Sequence, residues 1–429
     1  MKKINACYIL LVLLGLQINV QAQQIKKVFD FGQEQHLPEA TYVGTALPYN
    51  SDMRYGFDFG TAYRVAMQEQ GFTAGIPVYF SVDLPEGNYK VTVTLSGKNT
   101  EMTVKAESKR LFIPQEQIGT KDEVTQSFTV SVFNPIIETG KKVKLKAREL
   151  VKLDWDHKLT LEFLGTSTVQ SIIIESVDTR TLFLAGDSTV TDQDLEPWAS
   201  WGQFITAYLN EDIAVANQAS SGASLASFRG SRIEKILSQL KADDFVIIEF
   251  GHNDEKIKGE GGGAYGLYTE IMTDFIQRIK EKGGIPILST PTQRRAFDGK
   301  ELAPTHGEFP DAMRKVAKKE AVTLIDLTKM TTKMYESWGP QLSRKAFVQY
   351  AANMFPGQSD ELEDNTHFSN FGANEVALAV VSGLRASDSE LKNYIAEDTP
   401  KYNPKRPNSP ETYTIPFSSL FEALKPDGN

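Results

Sequence analysis

The sequence predicts two joined folds, an all-β sandwich over 23–178 followed by a three-layer α/β domain over 179–390. Three observations predict this. A chain of 429 residues exceeds the usual size of one domain. Up to about Asp178, short strands follow one another with no helical period between them, which is the pattern of a sandwich. After Thr179, brief apolar runs alternate with segments of helical period, which is the pattern of a parallel sheet covered on both faces.

Taken in order, residues 1–22 read as a secretory signal. Lys2 and Lys3 open it, "YILLVLLGL" (8–16) is the apolar stretch, and "VQA" (20–22) offers small residues for cleavage near Ala22. The expected location is therefore secreted or periplasmic. The apolar run is too short to span a bilayer easily, and no later segment reads as a membrane span. Cys7 is the one cysteine and lies inside the signal, so the mature chain is expected to lack disulfides, cysteine nucleophiles and cysteine-held metals. Cleavage leaves 44 basic against 55 acidic side chains, a formal charge of −11, which argues against a nucleic-acid partner.

In the first half, "VYFSVDL" (78–84), "PEGN" (85–88) and "YKVTVTLSG" (89–97) read as a hairpin around a Pro/Gly/Asn turn. "EMTVKAESKRLFI" (101–113), "VTQSFTVSVF" (124–133), "KVKLKAREL" (142–150), "HKLTLEFLG" (157–165) and "VQSIIIESVD" (169–178) continue the strands. In the second half the apolar runs are "TLFLAG" (181–186), "IAVAN" (213–217), "FVIIEFG" (245–251), "IPILST" (285–290) and "VTLIDL" (322–327). Helices are expected near 200–209, 229–241, 264–282, 309–319 and 372–385. Residues 391–429 include the Pro-rich "NPKRPNSPETYTIPF" (403–417), which reads either as a disordered tail or as a strap over the surface.

Ligands of an open parallel sheet sit beyond the carboxyl ends of its strands, so reactive residues should follow the apolar runs directly. "GDST" (186–189), "NQASSG" (217–222) and "GHND" (251–254) do so, and "DNTH" (364–367) precedes the last helix. Singly, each is an ordinary turn or cap; as an ordered set they suit a serine nucleophile. A hydroxyl needs a neighbouring base, and imidazole is the usual one. Of the five histidines, His367 is preferred because Asp364 precedes it by three residues, a spacing that lets a carboxylate orient the ring from a loop. His252 competes and is otherwise read as structural or substrate-side. Donors for an oxyanion are the backbone N–H of Ser188, the backbone N–H of Gly222 and the side-chain amide of Asn253.

These four blocks resemble the signature blocks of SGNH (GDSL-type) hydrolases, over roughly 180–385. "WGQ" (201–203) and "TPTQRRAF" (290–297) are similar to the rhamnogalacturonan acetylesterase branch, and "FDFG" (29–32) and "RYGFDFG" (54–60) resemble a galactose-binding-like sandwich that precedes the hydrolase in some bacterial members. The resemblance implies a flavodoxin-like SGNH domain and a cofactor-free, metal-free esterase that removes acetyl groups from a polysaccharide or oligosaccharide. It also implies Ser188, Asp364 and His367 as the triad, with Ser188, Gly222 and Asn253 forming the oxyanion hole. Ser221 and Ala223 depart from the bulkier or basic neighbours expected around Gly222. Arg294 and Arg295 are candidate contacts for a galacturonate carboxylate, unless internal acids claim them. Trp198 is a candidate sugar platform, whereas Trp201 is expected to pack a helix on the sheet. Xylan or another acetylated glycan, short acyl lipids or thioesters, and a glycan-binding protein with an inert hydrolase half remain the competing readings. The sandwich is expected to brace the catalytic half.

Overall fold

The computed structural model describes residues 24–119, 123–137, 140–151, 153–259, 262–421 and 425–427; the expected signal, 1–22, lies outside the described residues. The first half is a two-sheet sandwich. One sheet carries Thr41–Val43, Lys26–Phe31, Thr168–Ser176, Gly87–Ser96 and Glu123–Val132 in that order. The facing sheet carries Tyr55–Asp58, Val78–Asp83, Lys158–Gly165, Thr100–Ala106 and Arg110–Ile118. In Gly87–Ser96 the residues Tyr89, Val91, Val93 and Leu95 are buried while Lys90, Thr92 and Thr94 are half-buried, the two-residue alternation of a strand with one face in a core. Phe31, Phe57, Phe72 and Phe80 meet edge-on or tilted between the sheets, with centroids 5.0–6.3 Å apart.

Three sequence expectations change here. Val78–Asp83 and Gly87–Ser96 do not pair; they lie in opposite sheets, so "PEGN" is an arch between sheets and not a hairpin turn. Alternation is the same for either connection, and what selects the arch is that both apolar faces then meet each other. Residues 101–113 are two strands, Thr100–Ala106 and Arg110–Ile118, reversing at Glu107–Lys109 with Glu107 and Lys109 at positive φ. The segment "KVKLKAREL" makes no strand and ends in a 3-10 turn, Ala147–Val151. Buried Glu149 accepts from the Lys146 N–H at 2.8 Å and binds groups of the second half, so side-chain bonds take the place of a strand ladder.

The second half is a three-layer α/β domain. Its parallel strands run Thr323–Ile325, Ile285–Ser289, Phe245–Glu249, Arg180–Gly186 and Ile213–Asn217 across the sheet, the flavodoxin-like order. Helices Trp201–Phe204, Leu327–Leu342 and Asn370–Arg385 cover one face, and Leu225–Phe228, Arg232–Gln239, Leu267–Glu281 and Phe309–Glu320 cover the other. Leu327–Leu342 is absent from the helices expected above; it begins at Asp326 and kinks at Gly339–Pro340, which interrupt its sequence pattern. The sandwich sheet continues into this one through a parallel pairing of Val130 with Val215, giving one sheet of twelve strands.

The two halves are also clamped by buried charge. Arg110 Nε donates to Asp192 at 2.7 Å, and Lys109 Nζ donates to the Trp198 carbonyl at 2.9 Å and pairs with Glu196 at 3.1 Å. The hairpin tip of the sandwich thus grips the loop that follows Ser188. From Asn403 to Phe421 the C-terminal segment is a strap: Trp338 donates to the Asn408 carbonyl and Ser418 Oγ to Glu162.

Candidate active site

The sheet ends at Gly186, where a side chain would place its Cβ 2.5 Å from Val190 and 3.0 Å from the Glu249 carbonyl. Only glycine fits, and the chain turns at once to present Asp187, Ser188 and Thr189. Asp187 is fully buried and accepts from both the N–H and the hydroxyl of Thr189, at 3.0 and 2.9 Å. Ser188 is 2 % exposed. Gln193, which no motif or spacing singled out, ties this turn to the next block: its amide donates to the Ser188 carbonyl at 2.9 Å and to Ser221 Oγ at 3.2 Å.

Gly222 follows with φ +72°, a conformation that favours glycine. Asn253 Nδ2 donates to the Ala223 carbonyl at 3.0 Å, so the third block is bonded beside the second. Ser188, Gly222 and Asn253 are therefore joined through their immediate neighbours on adjacent strand ends.

"DNTH" is not in a loop. It lies in the strand Leu362–Phe368, paired with Phe347–Tyr350 across an irregular register. Asp364 Oδ2 is 2.9 Å from His367 Nδ1, while Oδ1 accepts from the Thr366 and His367 N–H groups at 2.7 and 2.8 Å. Burial pushes this carboxyl up, but the His367 ring and the two backbone N–H groups outweigh burial and hold it well below the usual range. The arrangement fixes Nδ1 as the protonated nitrogen and leaves Nε2 as the basic one. Ala199 N–H donates to the Phe368 carbonyl at 3.0 Å, tying the loop after Ser188 to this strand. The Trp198 ring stands edge-on to His367, centroids 5.8 Å apart, and is itself buried.

His252 is buried, with Nδ1 3.4 Å from Asp187 and its ring against His306. Burial, the neighbouring imidazole of His306 and the Arg294 charge pull it down to about 4 despite Asp187, so it is neutral at pH 7. Arg294 meets Glu255 at 2.7 Å, and Glu255 also meets His306 at 3.0 Å. Arg295 donates to Ser343 and to Asn365 at 3.1 and 3.0 Å, which holds it beside "DNTH". Trp201 is fully buried, as expected, and donates to Glu249 at 2.9 Å. Burial and the Asp187 charge push Glu249 up to about 8. It accepts from Thr189, Trp201 and Ser289, a polar plug beneath the serine turn.

Around Gly222 the sequence left out residues from far away. Lys146 Nζ, from the sandwich half, donates to the Ser221 carbonyl. Lys425 Nζ lies 3.2 Å from Asp364 Oδ2. No spacing pattern links these positions. Among the described residues no group of three or more His, Cys, Asp or Glu side chains could hold a metal ion, and no helix is long and apolar enough to cross a membrane.

Residues 184–373 match the profile of the GDSL-like Lipase/Acylhydrolase family. The chain is 40 % identical over 218 residues to rhamnogalacturonan acetylesterase RhgT of Bacillus subtilis (strain 168), covering 50 % of this chain and 93 % of that protein. It is 28 % identical over 408 residues to the uncharacterized esterase YxiM of the same organism, covering 90 % of this chain and 98 % of that one. A crystal structure of YxiM from Bacillus subtilis superposes with a TM-score of 0.45 at 23 % identity, over 84 % of this chain and 98 % of the other.

Proposed function

This chain belongs to the GDSL-like lipase/acylhydrolase family, and from that premise we propose that it is a secreted serine esterase removing acetyl groups from acetylated rhamnogalacturonan. Ser188 Oγ attacks the acetyl carbonyl as His367 Nε2 takes its proton. Asp364 keeps Nδ1 protonated and stabilises the imidazolium that results. The N–H groups of Ser188 and Gly222 and the amide of Asn253 bind the oxyanion. His367 then returns the proton to the departing sugar oxygen, and water repeats the sequence on the acetyl-serine.

The observation that carries the mechanism is the buried Asp364–His367 pair, whose carboxylate accepts the His367 ring and two backbone N–H groups. The pectin assignment is supported by the name of the relative that this chain matches at 40 % identity. The buried Trp198 supports a role in shaping the wall behind His367 more than a role as an open sugar platform. The test is acetate release from acetylated pectin, xylan and peptidoglycan side by side. Pectin should lead, and Ser188→Ala should abolish release from all three. A preference for long-chain acyl esters, or glycan binding without turnover of any ester, overturns the proposal.

A further inference from the structure

The structure assigns an anion subsite to the rim of this site, formed by Lys146 and Arg148 of the sandwich half, and we propose that it takes the carboxylate of a uronate unit in the substrate. The inference rests on the esterase reading above and names how that site would select its sugar.

A Cβ placed on Gly222 would lie 3.0 Å from Asp427 Cβ and 3.3 Å from Lys146 Nζ. An acid from the C-terminal end and a base from the sandwich therefore converge over a backbone proposed to bind the oxyanion. The Asp427 carboxylate lies 3.5 Å from Lys146 Nζ and 3.9 Å from Arg148 Nη1. Two residues earlier, Lys425 pairs with Asp364. The segment 425–427 thus crosses the rim from the triad side to the oxyanion side, with its one carboxylate toward the two cations.

The cations are held in place. Glu149, next to Arg148, is buried and anchors the turn Ala147–Val151 to the catalytic half. It accepts from Arg232 at 2.6 Å and from Ser220 Oγ at 3.1 Å, and its other oxygen accepts from the Lys146 N–H. Ser220 is two residues from Gly222, so the turn carrying Arg148, with Lys146 just before it, is bonded to the loop whose chemistry it would serve. A fork-shaped guanidinium beside an ammonium suits a planar carboxylate.

The Asp427 pair, by contrast, is weak. Its side chain is 52 % exposed and that of Lys146 40 %, and both distances exceed those of a good charged hydrogen bond. A substrate carboxylate tethered to an ester already seated at Ser188 arrives with a high effective concentration and can displace it. Asp427 then marks the position of the substrate's acid while the site is empty and competes mildly for it.

The experiment compares two substrates, an acetylated rhamnogalacturonan oligosaccharide and the same oligosaccharide with its uronate carboxyls reduced to alcohols. The readout is the ratio of their kcat/KM values. Wild type should favour the acid form, and Arg148→Gln should lower that ratio about tenfold, the loss of one charged hydrogen bond. Lys146→Gln should act in the same direction. Asp427→Asn should lower KM for the acid form more than for the reduced form. Ratios that match wild type in both cation variants overturn the subsite while leaving the esterase reading intact. A wild-type protein that releases acetate from neither oligosaccharide overturns the esterase reading instead. Equal losses on both substrates also overturn the subsite, because they show damage to the loop and no recognition of charge.

Discussion

Asp364→Asn isolates what the carboxylate does for the imidazole. Asparagine has the same size, and its amide oxygen can keep the two bonds from the Thr366 and His367 N–H groups. Its NH2 group then faces His367 Nδ1 at the place where Oδ2 stood 2.9 Å away. Two donors cannot face each other, so the ring must put its proton on Nε2, and under the proposed mechanism it could then take none from Ser188. A wrong tautomer in a triad of this kind costs roughly 10⁴-fold in kcat, equivalent to about 5 kcal/mol of barrier. The assay is initial-rate hydrolysis of p-nitrophenyl acetate against pH, with circular dichroism to establish folding. The native carboxyl is held below its unfolded value of about 3.9, so its stabilising contribution is present above that pH and lost as the solution becomes more acidic. The stability gap between the variant and wild type should therefore narrow toward low pH. A folded variant retaining more than a tenth of wild-type kcat would refute the tautomer argument.

Two further perturbations test the frame around the site. Arg110→Met removes one partner of a fully buried pair and leaves the Asp192 charge behind, bonded to Asn217 at 2.7 Å; the expected loss is about 3–5 kcal/mol, read as a fall in Tm. Adding Asp192→Asn should restore part of that loss, and strictly additive losses would show that the two residues are uncoupled. Glu249 has its folded pKa raised to about 8, so it stabilises the fold most at low pH and loses that contribution as pH rises from the unfolded value of about 4.3. Glu249→Gln keeps a neutral side chain among Thr189, Trp201 and Ser289, and should flatten the decline of Tm between about pH 4.3 and about pH 8, as measured by differential scanning calorimetry.

Much of this protein is local in origin and so was open to reading from the chain. The change from a two-residue to a helical period at Thr179 separates sandwich from α/β domain, because side-chain direction alone sets those periods. The position of "GDST", "NQASSG" and "GHND" after apolar runs places them on one edge, because parallel strands all end on the same side. The three-residue step from Asp364 to His367 would put their side chains on opposite faces of a regular strand; they meet because the pairing is irregular there and Asp364 turns back onto the Thr366 and His367 N–H groups. What the sequence could not supply is partnership between residues whose separation carries no period. "PEGN" serves a hairpin or an arch equally well, and only the facing sheets choose. Arg294 looks available until folding brings Glu255 to it, and His306 has no acid two or three residues ahead of it in the chain yet meets the same Glu255. The sandwich grips the loop after Ser188 through Lys109 and Arg110, and Lys146 and Arg148 reach Asp427. Such contacts depend on how two domains dock, where many distant pairings are compatible with one hydrophobic pattern and buried charge must find its partner in three dimensions.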